Sequence, residues 1–305
     1  MKKIEGLIAA PFAPMDADGK LNIDKIPAYY QLLQKNKIVG AFINGSTGEG
    51  VSLSHDEKMK VTAAWTKENK KHKALKVINL VGGTSYEESI ASAKSSADLG
   101  VDAIAILAPY YFKPAGAKQL AEFCAKIAES VPQLPVYFYH IPVLTGCNVS
   151  MYEFLQEADA IIPNLAGIKY THEDFMDYLS CMSFKDGKYD MLWGRDENLL
   201  SALVLGARGG VGSTFNYAAP LYLQLIKAYD EGNFVEARKL QQQSIDMIRL
   251  LGKYGGIATG KAYMRYVGME FGEFRLPVKN MTKEAYKAFE ADVRALNMEA
   301  LFSKI

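Results

Sequence analysis

The sequence contains few cysteines and few histidines, which limits the disulfide and metal chemistry that it can support. Its 305 residues include three cysteines (Cys124, Cys147 and Cys181) and four histidines. Because the cysteines are odd in number and far apart, they predict neither a disulfide framework nor a zinc site, and reduced thiols in the cytoplasm are the plainer interpretation. The histidines show no ligand spacing. We therefore predict no metal and no cofactor.

An excess of charge of one sign is also missing. Lysine and arginine number 35 against 34 acidic residues, which leaves a formal net charge of +1. Nucleic-acid binding needs a basic face and membrane surfaces attract polybasic segments, so neither partner is indicated. No apolar run approaches the ~18 residues that a membrane-spanning helix requires. The sequence predicts a cytoplasmic protein with neither a nucleic-acid nor a membrane partner.

An alternation of short apolar runs with amphipathic stretches dominates the first two thirds of the chain. Runs with so little polar alternation are typical of strands buried on both faces. The stretches between them have helical patterns, and Ser54 to Glu57 has the spacing of a capping box. Eight strand–helix repeats predict a (β/α)8 TIM barrel over residues 1–215. The runs are 6–9, 39–43, 77–81, 103–107, 136–139, 165–168, 189–193 and 209–212.

The strand signal stops after residue 215. Helices are predicted over 220–251, with a break near Gly232, and over 261–271 and 282–302. Residues 216–305 are therefore expected to form a C-terminal helical extension packed on the barrel or against a partner. An open doubly wound sheet would also alternate strands and helices, but its G-x-G-x-x-G fingerprint is absent.

Catalytic groups of such barrels follow the carboxyl ends of the strands, so the residues after each run are the first candidates. The second run is followed by Gly45-Ser46-Thr47-Gly48-Glu49. Glycines let the backbone approach a ligand, and successive amides form an anion-binding concavity. With no lysine or arginine adjacent, a carboxylate suits this loop better than a phosphate. An ordinary tight loop explains the pattern equally well.

Two further strand ends carry groups that can react. Lys169 follows the sixth run, where desolvation would lower the pKa of its amine and allow attack on a carbonyl. An ordinary surface lysine is the alternative. Tyr139 is the last residue of the fifth run and could move a proton, although a half-buried structural tyrosine is as common. His140 is a weaker candidate than Tyr139.

The remaining strand ends supply aromatic and polar side chains. An aromatic loop containing Tyr111 follows the fourth run, and it suggests a buried loop or a subunit interface. Asp196 and Glu197 follow the seventh run; they could hold sugar hydroxyls or merely begin the next helix, where acids are favoured. Ser213 belongs to a small hydroxyl loop after the eighth run.

In chain order, Gly45-Ser46-Thr47-Gly48-Glu49, Tyr139-x-x-Pro142 and Gly167-x-Lys169 resemble the dihydrodipicolinate synthase/N-acetylneuraminate lyase superfamily over essentially the whole chain. The resemblance implies a homotetrameric (β/α)8 barrel that forms a Schiff base with pyruvate. It implies that Lys169 forms the imine, that Tyr139 transfers the proton, and that Ser46 and Thr47 hold the pyruvate carboxylate. Thr47 and Tyr111 would form a hydroxyl relay, with the tyrosine supplied by a neighbouring subunit.

The branch of the superfamily depends on a second set of residues. The dihydrodipicolinate synthase branch commonly carries an arginine where this chain has Leu144, and loss of a bidentate carboxylate clamp changes the chemistry. His140 and Arg195 depart from the usual pattern. The lyase branch is matched by residues that would hold a polyhydroxylated chain: Thr171, Gly194, Asp196, Glu197, Gly212 and Ser213.

The resemblance therefore implies reversible cleavage of a sialic acid, N-acetylneuraminate, to N-acetylmannosamine and pyruvate. Three alternatives remain open at this point. The chain could be an aldolase for 2-keto-3-deoxy sugar acids, a dihydrodipicolinate synthase, or a non-enzymatic pyruvate-binding protein, since a fold does not fix a function.

Overall fold

The structure is a computed structural model that describes residues 2–305, and its central feature is a closed barrel of eight strands in sequential order. All neighbouring strands run parallel, and the first strand pairs with the last, Gly6 opposite Gly209 and Ala9 opposite Gly212. The predicted (β/α)8 TIM barrel is confirmed. The strands are β1 Gly6–Ala9, β2 Gly40–Ile43, β3 Lys76–Leu80, β4 Ala103–Leu107, β5 Val136–His140, β6 Leu165–Tyr170, β7 Asp190–Trp193 and β8 Gly209–Gly212.

Twelve α-helices surround or extend the barrel within the described residues. The predicted capping box at α2 is present: the Glu57 amide donates to Ser54 Oγ at 3.2 Å, and the Ser54 amide donates to the Glu57 carboxylate at 2.9 Å. The helices are α1 Ile26–Lys35, α2 His55–His72, α3 Tyr86–Leu99, α4 Ala117–Ala128, α5 Pro142–Thr145, α6 Met151–Ile161, α7 Phe175–Ser183, α8 Leu199–Val204, α9 Phe215–Asp230, α10 Phe234–Lys253, α11 Thr259–Tyr266 and α12 Lys283–Ala295.

Two sets of apolar side chains form the core. Alternate strand residues such as Ile8, Phe42 and Leu192 fill the barrel interior, and a larger set packs between the strands and the helices. Each fully buried side chain of this size contributes about 1.5–3 kcal/mol relative to an exposed one. The double burial explains why the strands read as nearly continuous apolar runs.

The C-terminal region is helical, with bounds that differ from the prediction. The first of its helices, α9, begins five residues before Pro220 and kinks at Ala218, where φ is −134°. The predicted helices 261–271 and 282–302 are too long. Helix α11 ends at Tyr266, because Gly268 takes a φ of +96°, and α12 ends at Ala295.

The predicted division at residues 215 and 216 stays a prediction. Helix α9 starts directly after β8 and packs against β1, α8 and α10. Within residues 2–305, none of the helices combines the length and the apolar composition that crossing a membrane requires.

Candidate active site

A cavity of about 270 Å³ opens at the end of the barrel where the strands finish. Volumes near this size suit one small organic molecule. Its walls bring together residues that are far apart in the sequence. Nine of the residues singled out from the sequence line it: Ser46, Thr47, Tyr139, Lys169, Thr171, Gly194, Asp196, Glu197 and Ser213.

Lys169 lies at the floor of this cavity. It is the fifth residue of β6, which extends two residues beyond the predicted strand, and it is 4% exposed. Its Nζ atom lies 3.8 Å from the centre of the Tyr139 ring and 4.0 Å from that of Phe42. Burial lowers the pKa of Lys169 to about 7, with the carboxylate of Asp196 opposing the shift. A large fraction of the amine is therefore unprotonated and nucleophilic at neutral pH.

Tyr139 lies beside Lys169 because β5 and β6 pair in register at these two residues. Burial raises the pKa of the Tyr139 phenol to about 12, and the nearby hydroxyls of Ser46 and Thr171 oppose the shift. The phenol is consequently protonated at neutral pH. It can donate a proton, or accept one while passing its own to a neighbouring hydroxyl.

The loop after β2 is held in a tight turn. Asn44, at a φ of 56°, donates from Nδ2 to Asn79 Oδ1 at 2.7 Å, which anchors the start of the loop. The Gly50 amide donates to the Gly45 carbonyl at 3.1 Å and closes it. A Cβ atom at Gly50 would lie 1.9 Å from the Asn44 carbonyl oxygen, so only glycine fits there. The turn places Ser46 and Thr47 on the cavity wall.

Asp196 is a buried carboxyl group on the same wall. It accepts hydrogen bonds from the Thr214 amide at 2.9 Å and from the Thr214 hydroxyl at 2.7 Å. Burial raises the pKa of Asp196 to about 7 despite these bonds, and the charge of Glu197 adds to the rise. Asp196 and Lys169 therefore titrate in the same pH range and influence each other.

Arg195 fixes the position of Glu197. Its Nη2 atom lies 2.7 Å from Glu197 Oε1 and 3.0 Å from Glu173 Oε1. The Trp193 indole donates to the Arg195 carbonyl oxygen at 2.7 Å and holds the backbone in place. The arginine that departs from the family pattern thus acts, in this chain, on the acid beside it.

Two glycines of the predicted site are required by their neighbours. A Cβ atom at Gly194 would lie 1.9 Å from Thr171 Oγ1, and one at Gly212 would lie 2.3 Å from Asp196 Oδ1. Gly194 lines the cavity, whereas Gly212 backs the Asp196 carboxylate. The absence of a side chain at these two glycines leaves room for Thr171 and Asp196.

Besides Gly212, two candidates from the sequence do not line the cavity, Tyr111 and His140. Tyr111 is 76% exposed and packs edge to face with Phe112, so no contact with the cavity is made within one chain. His140 is buried against Tyr170, where burial lowers its pKa to about 4 and keeps the ring neutral. Among residues 2–305, no group of three or more His, Cys, Asp or Glu side chains is arranged to hold a metal ion.

Several residues of the cavity wall were not among the site residues predicted from the sequence. Thr214, which donates two hydrogen bonds to Asp196, follows Ser213 in the same hydroxyl loop, but it was not predicted as a site residue. The C-terminal region also contributes, through Ile248 and Leu251 of α10 and through Ile257. The apolar face of α10 was visible in the sequence, but its position over the barrel mouth was not.

A parallel barrel with its polar and titratable side chains gathered at the carboxyl ends of the strands defines the class of (β/α)8 barrel enzymes. Residues 3–296 match the model of the dihydrodipicolinate synthetase family, and the chain belongs to that family.

Similar proteins cover nearly the whole chain. A curated N-acetylneuraminate lyase of Danio rerio is 37% identical, covering 91% of this chain and 92% of its own length. The human N-acetylneuraminate lyase is 37% identical over 97% and 93%. Among solved structures, the Proteus mirabilis N-acetylneuraminate lyase superposes with a TM-score of 0.94 at 35% identity, covering 97% and 99% of the two chains.

Proposed function

We propose that this protein is an N-acetylneuraminate lyase, which reversibly cleaves N-acetylneuraminate to N-acetylmannosamine and pyruvate through a Schiff base on Lys169. The observation that carries the proposal is the buried Lys169 amine beside Tyr139, with Asp196 and Glu197 on the wall of the same cavity. The similarity to N-acetylneuraminate lyases along nearly the full chain supports it.

The first step uses the lowered pKa of Lys169. The neutral amine attacks the C2 ketone of the open-chain sugar acid, and uptake of one proton with loss of water gives a protonated imine. Ser46, Thr47 and the amides of their loop are placed to hold the C1 carboxylate, which sets C2 against the amine.

The second step breaks the C3–C4 bond. The C4 hydroxyl loses its proton, the bond electrons move into the imine, and C3 becomes part of an enamine. Because the Tyr139 phenol is protonated, it takes the C4 proton only as it passes its own to the hydroxyls beside it. Thr47, and Tyr111 from a neighbouring subunit, would continue this relay.

The last step restores the enzyme. The enamine accepts a proton at C3, and water hydrolyses the protonated imine to release pyruvate, the neutral amine of Lys169 and the proton taken up in the first step. N-Acetylmannosamine leaves as the aldehyde product, so the water lost in the first step is returned and the reaction balances.

The choice of substrate depends on the polar wall. Thr171, Gly194, Asp196, Glu197 and Ser213 lie along the cavity beyond Lys169, where a polyhydroxylated chain would extend. A short keto acid would leave these groups without a ligand. Leu144, on the same wall, offers no charge to a second carboxylate, which argues against dihydrodipicolinate synthesis.

We also propose a homotetramer in the cytoplasm. Tyr111 and Phe112 are 76% and 85% exposed on one loop, and such an aromatic surface favours burial against another subunit. All three cysteines are buried free thiols, in keeping with a reducing compartment. Sedimentation of the purified protein tests the assembly.

The test of the Schiff base is reductive trapping. The protein is mixed with pyruvate and borohydride, and the modified peptide is mapped. We expect one reduced pyruvate adduct on Lys169. An adduct on another lysine, or none, would refute the proposed site.

Cleavage assays then separate the substrates. We expect kcat/KM for N-acetylneuraminate to exceed that for 2-keto-3-deoxygluconate. The reverse order, with Lys169 still trapped, would assign the protein to the keto-deoxy sugar acids. Trapping without cleavage of either sugar would leave a dihydrodipicolinate synthase or a non-enzymatic pyruvate-binding protein.

A further inference from the structure

Glu49 belongs to the loop that carries Ser46 and Thr47, yet it turns away from the cavity into the protein. It is 3% exposed and adopts a φ of 55°. Its amide donates to the Ser46 carbonyl at 3.2 Å, so the position of Glu49 fixes the turn that presents Ser46 and Thr47. A buried carboxylate needs a partner, and every partner of this one comes from the C-terminal region.

Two residues of that region hold the Glu49 carboxylate. Lys261, in α11, is 4% exposed and donates from Nζ to Glu49 Oε1 at 2.7 Å. The backbone amide of Arg275 donates to Glu49 Oε2 at 2.9 Å. Lys261 also donates to the Glu273 carbonyl at 3.0 Å, which ties the ion pair to the segment that carries Arg275.

The segment that carries Arg275 also binds α2, the helix that follows the loop. The Arg275 guanidinium forms a bidentate pair with Glu57, at 2.8 Å and 2.6 Å, and donates to the Gly19 carbonyl at 3.0 Å. Glu57 is the acidic member of the capping box of α2. The loop is therefore braced at Glu49, and the helix after it is braced at its first turn.

We propose that Lys261 is a positioning residue for the carboxylate-binding loop: by holding Glu49, it keeps Ser46 and Thr47 in the geometry that receives the keto acid. The inference rests on the proposed function for the identity of that ligand. Lys261 touches neither the cavity nor Lys169. Its loss is therefore expected to weaken keto-acid binding and to leave the chemistry at Lys169 nearly unchanged.

The experiment compares two variants with a matched control. Lys261→Met removes the ion pair but leaves Glu49 buried without its counter-charge, which can destabilise the protein. The double variant Glu49→Gln/Lys261→Met removes both charges and keeps the side-chain volumes. Lys253→Met is the control, because Lys253 is an exposed lysine of the same region, paired with Asp292.

Two readouts are taken on the full-length protein. The first is the pyruvate concentration that gives half-maximal borohydride trapping. We expect it to rise about tenfold or more in the double variant, with the trapping rate at saturation within about threefold of wild type. The second is hydrogen exchange of the peptide covering residues 44–50 without ligand, which we expect to be about tenfold faster than in wild type or Lys253→Met.

A double variant with wild-type exchange and wild-type half-saturation would overturn the inference. So would a fall in the saturating rate at unchanged half-saturation, which would place Lys261 in the chemistry. If the wild-type protein traps no pyruvate, the proposed function fails. The exchange readout still decides the role of Lys261 in that case, because it uses no substrate.

Discussion

The two ends of the barrel each contain a buried aspartate at an end of β7, and the two residues do different work. Asp190 lies at the amino end of the strand and Asp196 just beyond its carboxyl end, and their exposures are 5% and 6%. Asp190 accepts from the Ile4 amide at 3.0 Å and from the Tyr137 hydroxyl at 2.8 Å. Burial raises the pKa of both carboxyl groups.

The two carboxylates differ in their surroundings. The bonds of Asp190 join the start of the chain to the barrel wall. Asp196 is held by Thr214 on one side, but it lies on the cavity wall with Lys169, whose pKa it raises. Equal burial of the same residue type therefore indicates stability at one end of the barrel and reactivity at the other. Substitutions at the two ends should therefore have different effects on activity and on stability.

The largest effect is expected from Lys169→Met. Methionine fills the buried space without an amine, so cleavage of N-acetylneuraminate and pyruvate trapping should both fall to background, while the melting temperature stays near that of wild type. Lys76→Met, an exposed lysine at the opposite end of the barrel, is the control and should retain full activity. Turnover by Lys169→Met would refute the Schiff base on this residue.

Tyr139→Phe is expected to follow. The ring beside Lys169 remains and the proton-transferring hydroxyl is lost, so kcat should fall about 10²- to 10⁴-fold. Pyruvate trapping on Lys169 should persist, because imine formation does not need C–C cleavage. Equal losses of trapping and turnover would mean that Tyr139 acts on the lysine itself.

Asp196→Asn sharpens the comparison at the reactive end. Loss of one charge-assisted contact to substrate should cost about 1.5–3 kcal/mol, which is a loss of about 13- to 160-fold in kcat/KM. Wild-type trapping should weaken below about pH 7, where Lys169 becomes protonated. Since Asp196 raises the pKa of Lys169, the variant should keep trapping to lower pH. If the variant instead lost trapping at a higher pH than wild type, Asp196 would not raise the pKa of Lys169.

Asp190→Ala should have the smallest effect on activity. The variant leaves the Ile4 amide and the Tyr137 hydroxyl without their acceptor, which should lower the free energy of unfolding by about 1–3 kcal/mol. The kcat of the folded fraction should match that of wild type. Denaturant unfolding monitored beside the cleavage assay separates the two quantities. A lower kcat in fully folded Asp190→Ala would mean that Asp190 also affects the reaction, and the two ends would no longer differ in role.

The reactive end was more predictable from the sequence than its supports. Lys169, Tyr139 and Asp196 each lie at the end of a buried apolar run or shortly after it, and a parallel barrel brings all such positions to one rim. The bonds of Asp190 and the ion pair of Glu49 with Lys261 carry no comparable signal, because they join positions far apart whose side chains look like ordinary surface residues.

The C-terminal region was the hardest part to predict. Helical periodicity gave its elements, but it does not say that Ile248 and Leu251 close the cavity. The ends of α11 and α12 depend on a positive φ at Gly268 and on tertiary packing. Neither can be predicted from the periodicity of apolar residues.

The ion pair between Glu49 and Lys261 joins positions 212 residues apart. A ribosome delivers the chain from its amino end, so β8 and every strand that it pairs with are made before Lys261 appears. The whole barrel is therefore synthesised before the residue that braces the loop at its mouth. If Lys261 positions the loop as we propose, tight binding of the keto acid has to wait until α11 has been synthesised.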